Sequence, residues 1–400
     1  MVWEVMRSGF LIFFAVVFTV YFSIQVYLFV RGWQSLAWKP RWRWPYAVLF
    51  WFAALAFLAG RNLENIAVSP WSSSLVWVGA FWFALMYYLF LGTLALDLGG
   101  RVLFCLRWLP ASWIAAWPRT KFRAATMLVV AVSGLVAWGY WNALHPRVVK
   151  LAVSLPPVPG APESLRVAVA SDWHLGTLVT QARVRAWVDQ INSLDPDLIL
   201  LPGDVIDEDL PPVIENNLGE FLRDLDAPMG VFAVTGNHEY IGGVEPGVRY
   251  LEEHNVRVLR DEAVPLAGGA VWLAGREDLS VRRFKGRARR PLDEILRLVP
   301  ASAPVVLMDH QPVELAEAEA LGVALQLSGH THDGQLWPNK YLVRALFGFS
   351  SGYLKIGSMH VYVLPGLGTW GPPVRVGTRP EILDLTLRFD QVAASPPVLR

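Results

Sequence analysis

Val167-Ala168-Val169-Ala170-Ser171-Asp172-Trp173-His174 is a run of small and apolar residues that ends on a carboxylate and an imidazole two positions apart. A short run with no polar interruption suits a strand buried on both faces. Open α/β sheets bind ligands just beyond the carboxyl ends of such strands. Working outward, the pattern recurs four times. Residues 198–202 lead into Gly203-Asp204, with Asp207 three further on, and 231–235 into Gly236-Asn237-His238-Glu239. Residues 305–308 lead into Asp309-His310-Gln311, and 324–328 into Gly329-His330-Thr331-His332. Another buried strand is predicted over 271–274, with helical patterns in the intervals, so the region from Arg166 is predicted to be an α/β layered domain.

Taken singly, each cluster is weak. Asp and Gly at a strand end commonly serve a turn, and the isolated His145, His254 and His360 read as surface or satisfied core residues. The other five of the eight histidines all fall inside the strand-end series, which coincidence explains poorly. Asp, His and Asn donors suit divalent manganese, iron or zinc, and a single cysteine, Cys105, excludes a thiolate-built zinc site or an internal disulfide. Two ions sharing one carboxylate would lie about 3.5–4 Å apart, a spacing suited to phosphoryl oxygens. Asp204, after the second strand, is the natural bridge.

In this order, Asp-X-His, Gly-Asp-X-X-Asp, Gly-Asn-His-Glu, His and Gly-His-X-His resemble the calcineurin-like metallophosphoesterase superfamily over about 167–387. Residues 327–335, Leu-Ser-Gly-His-Thr-His-Asp-Gly-Gln, and 366–375, Gly-Leu-Gly-Thr-Trp-Gly-Pro-Pro-Val-Arg, followed by Arg379-Pro380-Glu381, are similar to its membrane-associated bacterial phosphohydrolase branch, the YkuE-like proteins. The resemblance implies a four-layer αββα sandwich. It also implies one metal on Asp172, His174, Asp204 and His332, a second on Asp204, Asn237, His310 and His330, and catalysis by Asp204 as bridge and His238 as the acid beside the leaving group. The chemistry agrees: Asn237 offers a neutral carbonyl oxygen, while an unligated His238 can donate a proton near neutral pH. Asp207 is expected in a supporting or loop position. Two positions depart from the family pattern, Trp173 and Asp333; Asp333 is expected either to hydrogen-bond a ligand histidine or to be a solvated loop acid.

The N-terminal part has a different character. The chain is 54% apolar with 19 tryptophans, high for a wholly soluble protein. Stretches 10–30, 75–98 and 124–144 are of spanning length and 45–60 is marginal, which predicts an all-α transmembrane domain of about four helices. Residues 102–117, broken by Arg107 and Pro110, read as interfacial, and Trp38, Trp42, Trp44 and Trp113 fit an aromatic belt. The first apolar run outlasts a signal peptide and lacks a small-residue cleavage site, so it reads as a retained span. The expected domains are 1–150 transmembrane, 151–165 a Pro-rich linker, 166–390 catalytic and 391–400 a tail. Arg31, Lys39, Arg41 and Arg43 after the first span, and Arg101, Arg107, Arg119, Lys121 and Arg123 before the last, predict cytoplasmic loops. The catalytic domain is therefore expected outside the bacterial cytoplasmic membrane.

A net charge of +1 supplies no global field for nucleic acid, and no obligate protein partner is evident. The expected function is that of a membrane-anchored phosphohydrolase in which a metal-bridged hydroxide attacks a phosphate ester or pyrophosphate. Its expected partners are membrane lipids and a phosphorylated, lipid-linked or envelope substrate. An apolar and basic segment, 336–356, is expected as a lip beside the metals, and the basic run 282–290 as a contact for anionic headgroups. The alternatives are an anchored phosphodiesterase for soluble substrates and a non-catalytic metal-binding membrane sensor. The complete ligand series speaks against the latter.

Overall fold

The structure is a computed structural model that describes residues 2–158 and 160–389, with side chains from Ala15 onward. It divides into two compact units, 1–139 and 140–400. The predicted tail, 391–400, lies outside the described residues.

The first unit carries helices long and apolar enough to cross a bilayer, Ala15–Trp38, Pro40–Glu64, Pro70–Cys105 and Trp117–Ala143, the last running on into the second unit. The stretch expected to be marginal is a full span of 25 residues, because its helix continues through the flanking polar positions that an apolar count leaves out. The third span starts at a reciprocal cap: Ser69 Oγ accepts from Ser72 N–H and Ser72 Oγ from Ser69 N–H, with Pro70 in the first turn. The second and third spans approach closely where side chains are absent. A Cβ on Gly79 would stand 2.2 Å from the Phe57 nitrogen, so Gly79 sets the contact distance. Polar groups in this unit find one another. Arg31 pairs with Asp97 at 2.5 Å, Tyr27 Oη donates to the same carboxylate at 2.7 Å, and buried Gln25 accepts from Trp82 Nε1.

Among the described residues the second unit holds twelve strands: β1 Arg147–Ser154, β2 Ser164–Val169, β3 Leu198–Pro202, β4 Val231–Val234, β5 Val256–Leu259, β6 Glu262–Leu266, β7 Val271–Gly275, β8 Val305–Met308, β9 Val323–Ser328, β10 Gly352–Ile356, β11 Met359–Val363 and β12 Glu381–Arg388. They form two six-stranded sheets, ordered β1-β12-β2-β3-β4-β5 and β10-β11-β9-β8-β7-β6. Residue parity makes the layers. Val167, Val169, Leu198 and Leu200 meet Leu273, Val306, Met308, Leu325 and Leu327 between the sheets. Their neighbours Ala168, Ala170, Ile199 and Leu201 face outward to Val184, Trp187, Val188 and Ile191 of helix Gln181–Asn192. Spacings of three and four put those four side chains on one helical stripe, and burying each contributes about 1.5–3 kcal/mol. On the far side Val305, Leu307, Val361 and Val363 pack with Leu292, Ile295 and Ala318. This is the αββα sandwich.

The expected boundaries shift in one respect. Arg147–Ser154, divided in the sequence reading between transmembrane domain and linker, pairs in register with Glu381–Arg388 as an edge strand of the first sheet. Pro156 and Pro162 therefore belong to the β1–β2 connection inside the second unit. The first unit ends earlier, at Gly139. β2, β3 and β4 run parallel, as do β8 and β9, so their carboxyl ends bring five loops together.

Candidate metal centre

All of the predicted site residues lie on those five loops. Asp172, His174, Asp204, His330 and His332 each adopt a positive φ, between 48° and 70°, a region that costs a non-glycine residue energy and persists only where surroundings enforce it. The surroundings here are the other loops: Asp172 N–H donates to Gly203 O, His174 N–H to Asp204 O, and Gly329 N–H to His310 O. Two glycines leave room for the donor atoms. A Cβ on Gly236 would stand 2.1 Å from Asp204 Oδ1, and one on Gly329 would stand 2.2 Å from Asp172 Oδ2.

The donors form three overlapping groups, Asp172 with His174 and His332, His174 with Asp204 and His238, and Asp204 with His310 and His330, in each of which the ligating atoms lie within 4.8 Å of one another. Asn237 joins the third group, its Oδ1 2.7 Å from His330 Nδ1. Nε2 of His174 faces Nε2 of His332 at 3.0 Å, and His310 Nε2 stands 3.1 Å from Asp204 Oδ2. The arrangement fits divalent cations. Asp172 Oδ2 is buried without a hydrogen-bond partner, and His310 Nδ1–H is spent on Pro202 O, which leaves Nε2 turned to the cluster.

The electrostatics are those of crowded acids and imidazoles. Burial opposes ionisation of Asp172, Asp204 and Asp207, yet the surrounding histidines hold all three below the usual carboxylate range. Burial also works against a charged His238, but Asp204 and Asp207 outweigh it and lift its pKa to about 10. Burial lowers His332 to about 4, so this ring is neutral at pH 7. Its Nδ1 lies 3.1 Å from Arg375 Nη2, and its Nε2 faces His174 Nε2 and Asp172 Oδ1.

A calcineurin-like phosphoesterase family profile matches residues 165–334. The chain is 32% identical over 256 residues to an uncharacterized metallophosphoesterase of Aquifex aeolicus, covering 64% of this chain and 96% of that protein. The chain belongs to the metallophosphoesterase family. A relative in Danio rerio, named transmembrane protein with metallophosphoesterase domain, is 30% identical over 284 residues, or 67% of this chain. The uncharacterized metallophosphoesterase YkuE of Bacillus subtilis is 28% identical over 288 residues, covering 68% of this chain and 97% of YkuE. This chain spans 63% of the length of the Danio rerio relative and 60% of a Helicobacter pylori one.

Several metallophosphoesterase-unit residues carry more than their sequence context suggested. Asp207 Oδ1 sits 3.2 Å from His174 Nδ1 and 2.9 Å from His238 Nδ1, joining the expected ligand to the expected acid. Buried Glu239 accepts the backbone N–H groups of Asp204, Ile206 and Gly236 and so fixes the loop that presents Asp204. Arg375, fully buried, also donates to Gly366 O and Gly368 O, clamping a loop whose own N–H groups bind Ser171 O and Asp172 O. The 366–375 motif marked this segment in the sequence, but nothing local gave Arg375 a role.

Of the alternatives for Asp333, neither holds: its Oδ1 accepts from Ser350 Oγ at 2.7 Å and braces the loop after His332. Trp173 fills the core, its Nε1 donating to Ala170 O and its ring set edge-on to Trp187. The basic run is partly consumed by ion pairs: Lys285 meets Glu245, Arg287 meets Glu277, and Arg289 meets both Asp309 and Glu314. His145, His254 and His360 have ordinary partners in Trp141 O, Tyr250 O and Tyr353 Oη. The expected lip contains helix Lys340–Phe347, with Phe347 edge-on to His330 at 5.6 Å between ring centres. Tyr341, Leu342 and Leu346 are 58%, 62% and 71% exposed, whereas Phe349 packs against the outer core of the second sheet.

Proposed function

We propose that this chain is a membrane-anchored phosphohydrolase that cleaves a phosphate ester or pyrophosphate of a lipid-linked or other envelope substrate, at a centre of two divalent ions, manganese, iron or zinc. The first ion falls to Asp172, His174, Asp204 and His332, and the second to Asp204, Asn237, His310 and His330. When bound, such ions supply Lewis acidity toward phosphoryl oxygens and activate water. The chain's own residues do the remainder. Asp207 orients His238, whose raised pKa keeps it protonated at neutral pH, and His238 delivers that proton to the leaving oxygen. Asp204 Oδ1 accepts the His238 backbone N–H at 2.9 Å, tying bridge and acid to one geometry.

The observation that carries the lipid reading is the exposed apolar face of Lys340–Phe347 next to His330, since a surface of that kind suits acyl chains while Lys340 and Arg344 suit phosphate headgroups. The basic loops support a catalytic unit outside the cytoplasmic membrane, and protease added to intact spheroplasts is expected to digest it. The test of substrate class is the double variant Leu342→Ser/Leu346→Ser, compared with wild type on a lipid phosphate in vesicles and on a water-soluble aryl phosphate. A loss of about tenfold confined to the lipid is expected from the lost apolar contact. Equal rates on the lipid, or an equal loss on both substrates, would overturn the lipid assignment and favour a soluble diester or monoester.

A further inference from the structure

The first unit contains a cavity of about 660 Å³ among its spans, lined by none of the residues of the metal centre. Its chemistry is graded. Arg31, Gln34, Ser35, Asp97 and Lys121 line one end, where the first and third spans finish and the fourth begins. Leu28, Leu49, Phe50, Leu85, Leu89 and Leu128 line the rest, nearer the middle of the helices. A volume of this order accommodates a small amphipathic ligand, and a polar end at the helix termini with an apolar body between the helices matches the depth profile of a membrane lipid.

The charges choose among lipids. Asp97 is closed by Arg31 at 2.5 Å and by Tyr27 Oη at 2.7 Å, so that pair presents little net charge. Lys121 is different: among the described residues no carboxylate pairs with it, and its ammonium rests 5.3 Å from the centre of the Trp117 ring. One uncompensated cation at headgroup depth attracts an anionic phosphodiester and gives a zwitterionic headgroup no such advantage, as basic pockets between membrane helices do for acidic lipids. Leu128 packs against Gly92, where a Cβ would come within 2.4 Å of its Cδ1, so a larger side chain at 128 must project into the cavity or displace the third span.

We infer that this cavity binds one phospholipid with an anionic phosphodiester headgroup, its phosphate at Lys121 and an acyl chain among Leu28, Leu49, Leu85 and Leu128. The site is distinct from the proposed hydrolytic centre and stands whether or not that centre acts on lipids. The test uses the full-length protein in neutral detergent, with retained lipid counted by native mass spectrometry after exposure to phosphatidylglycerol or phosphatidylcholine. Wild type is expected to retain phosphatidylglycerol about fivefold better, the effect of roughly one membrane-proximal lysine. Lys121→Gln is expected to erase that preference while leaving residual binding of both lipids, and Leu128→Trp to diminish both. Monodispersity and thermal unfolding establish that each variant is folded, and Lys121→Gln carries the test if Leu128→Trp is not. Equal retention of the two lipids by wild type, an undiminished preference in Lys121→Gln, or full displacement of phosphatidylglycerol by soluble glycerol phosphate overturns the inference.

Discussion

Two charged regions of the second unit meet at neighbouring residues, Asp309 and His310, and they handle their charge in different ways. Behind β7 and β8, Arg260, Arg276, Arg287 and Arg289 meet Glu277, Asp309 and Glu314 with both signs supplied by the chain; Arg289 Nη1, for instance, donates to Asp309 Oδ1 at 2.9 Å. At the candidate metal centre Asp172, Asp204 and Asp207 converge with His174, His310, His330 and His332, imidazoles in place of the guanidinium groups of the other region. Closed pairs of fixed charge hold a fold in one arrangement. Acceptors that converge without closing are completed from solution, which is what a cation-binding site requires. Asp309 and His310, adjacent in sequence, belong one to each region.

That contrast is broken most severely at Asp204. Asp204→Asn is expected to lose divalent metal from both subsites and about 10⁴-fold or more in hydrolysis of an aryl phosphate, with metal read by elemental analysis of the same sample. Near-normal rates in that sample would remove Asp204 from the centre. His238→Gln tests chemistry apart from metal binding: metal content should persist while turnover falls ~10²–10⁴-fold. The pH profile supplies the sign. His238 is raised to about 10, so its donor form is present through neutral pH and is lost as pH rises through its pKa. Bound cations bring that pKa below its metal-free position, because nearby positive charge disfavours the protonated ring. Wild-type rate should therefore fall on the alkaline side, and His238→Gln should lack that limb.

Arg375→Met probes the clamp between the regions' two styles, a fixed cation placed against a site histidine. Metal affinity should weaken about 10–100-fold as His332 loses its orientation. Arg375→Lys should recover part of it, whereas a loss of folding without any change in metal affinity of the remaining folded fraction would make Arg375 purely structural. Arg289→Met should do the reverse of Asp204→Asn. Removing one side of a buried pair costs about 3–5 kcal/mol, so the melting temperature drops while metal content and specific rate of the folded protein stay near wild type. Lost metal in that variant would erase the distinction between the two regions.

The same distinction explains how much the amino-acid order disclosed. The residues of the candidate metal centre were legible because few residue types can hold a cation and each had to sit just past a buried strand, as Asp172, Asp204, Asn237, His310 and His332 do. The membrane helices were legible from length and apolarity alone. Arg375 was not, because it approaches His332 from an irregular loop 43 residues further on, through pairing that no local pattern records. The ion pairs of the basic run 282–290 were hidden for a related reason: the partners of Lys285 and Arg289, Glu245 and Asp309, are distant in sequence. β1 was hidden as well, since an edge strand with half-exposed residues carries a faint period.

The position of β12 between β1 and β2 has a consequence for biogenesis. Among the described residues β1 pairs only with β12, which stands between it and β2. At a translation rate of ~5–20 residues per second, the long apolar helices are already made, and β1 has waited roughly tens of seconds, before the ribosome delivers its partner. Nascent chains therefore carry an open sheet edge until Glu381–Arg388 emerges, and a truncation that removes that strand should leave the edge for chaperones or proteases to find.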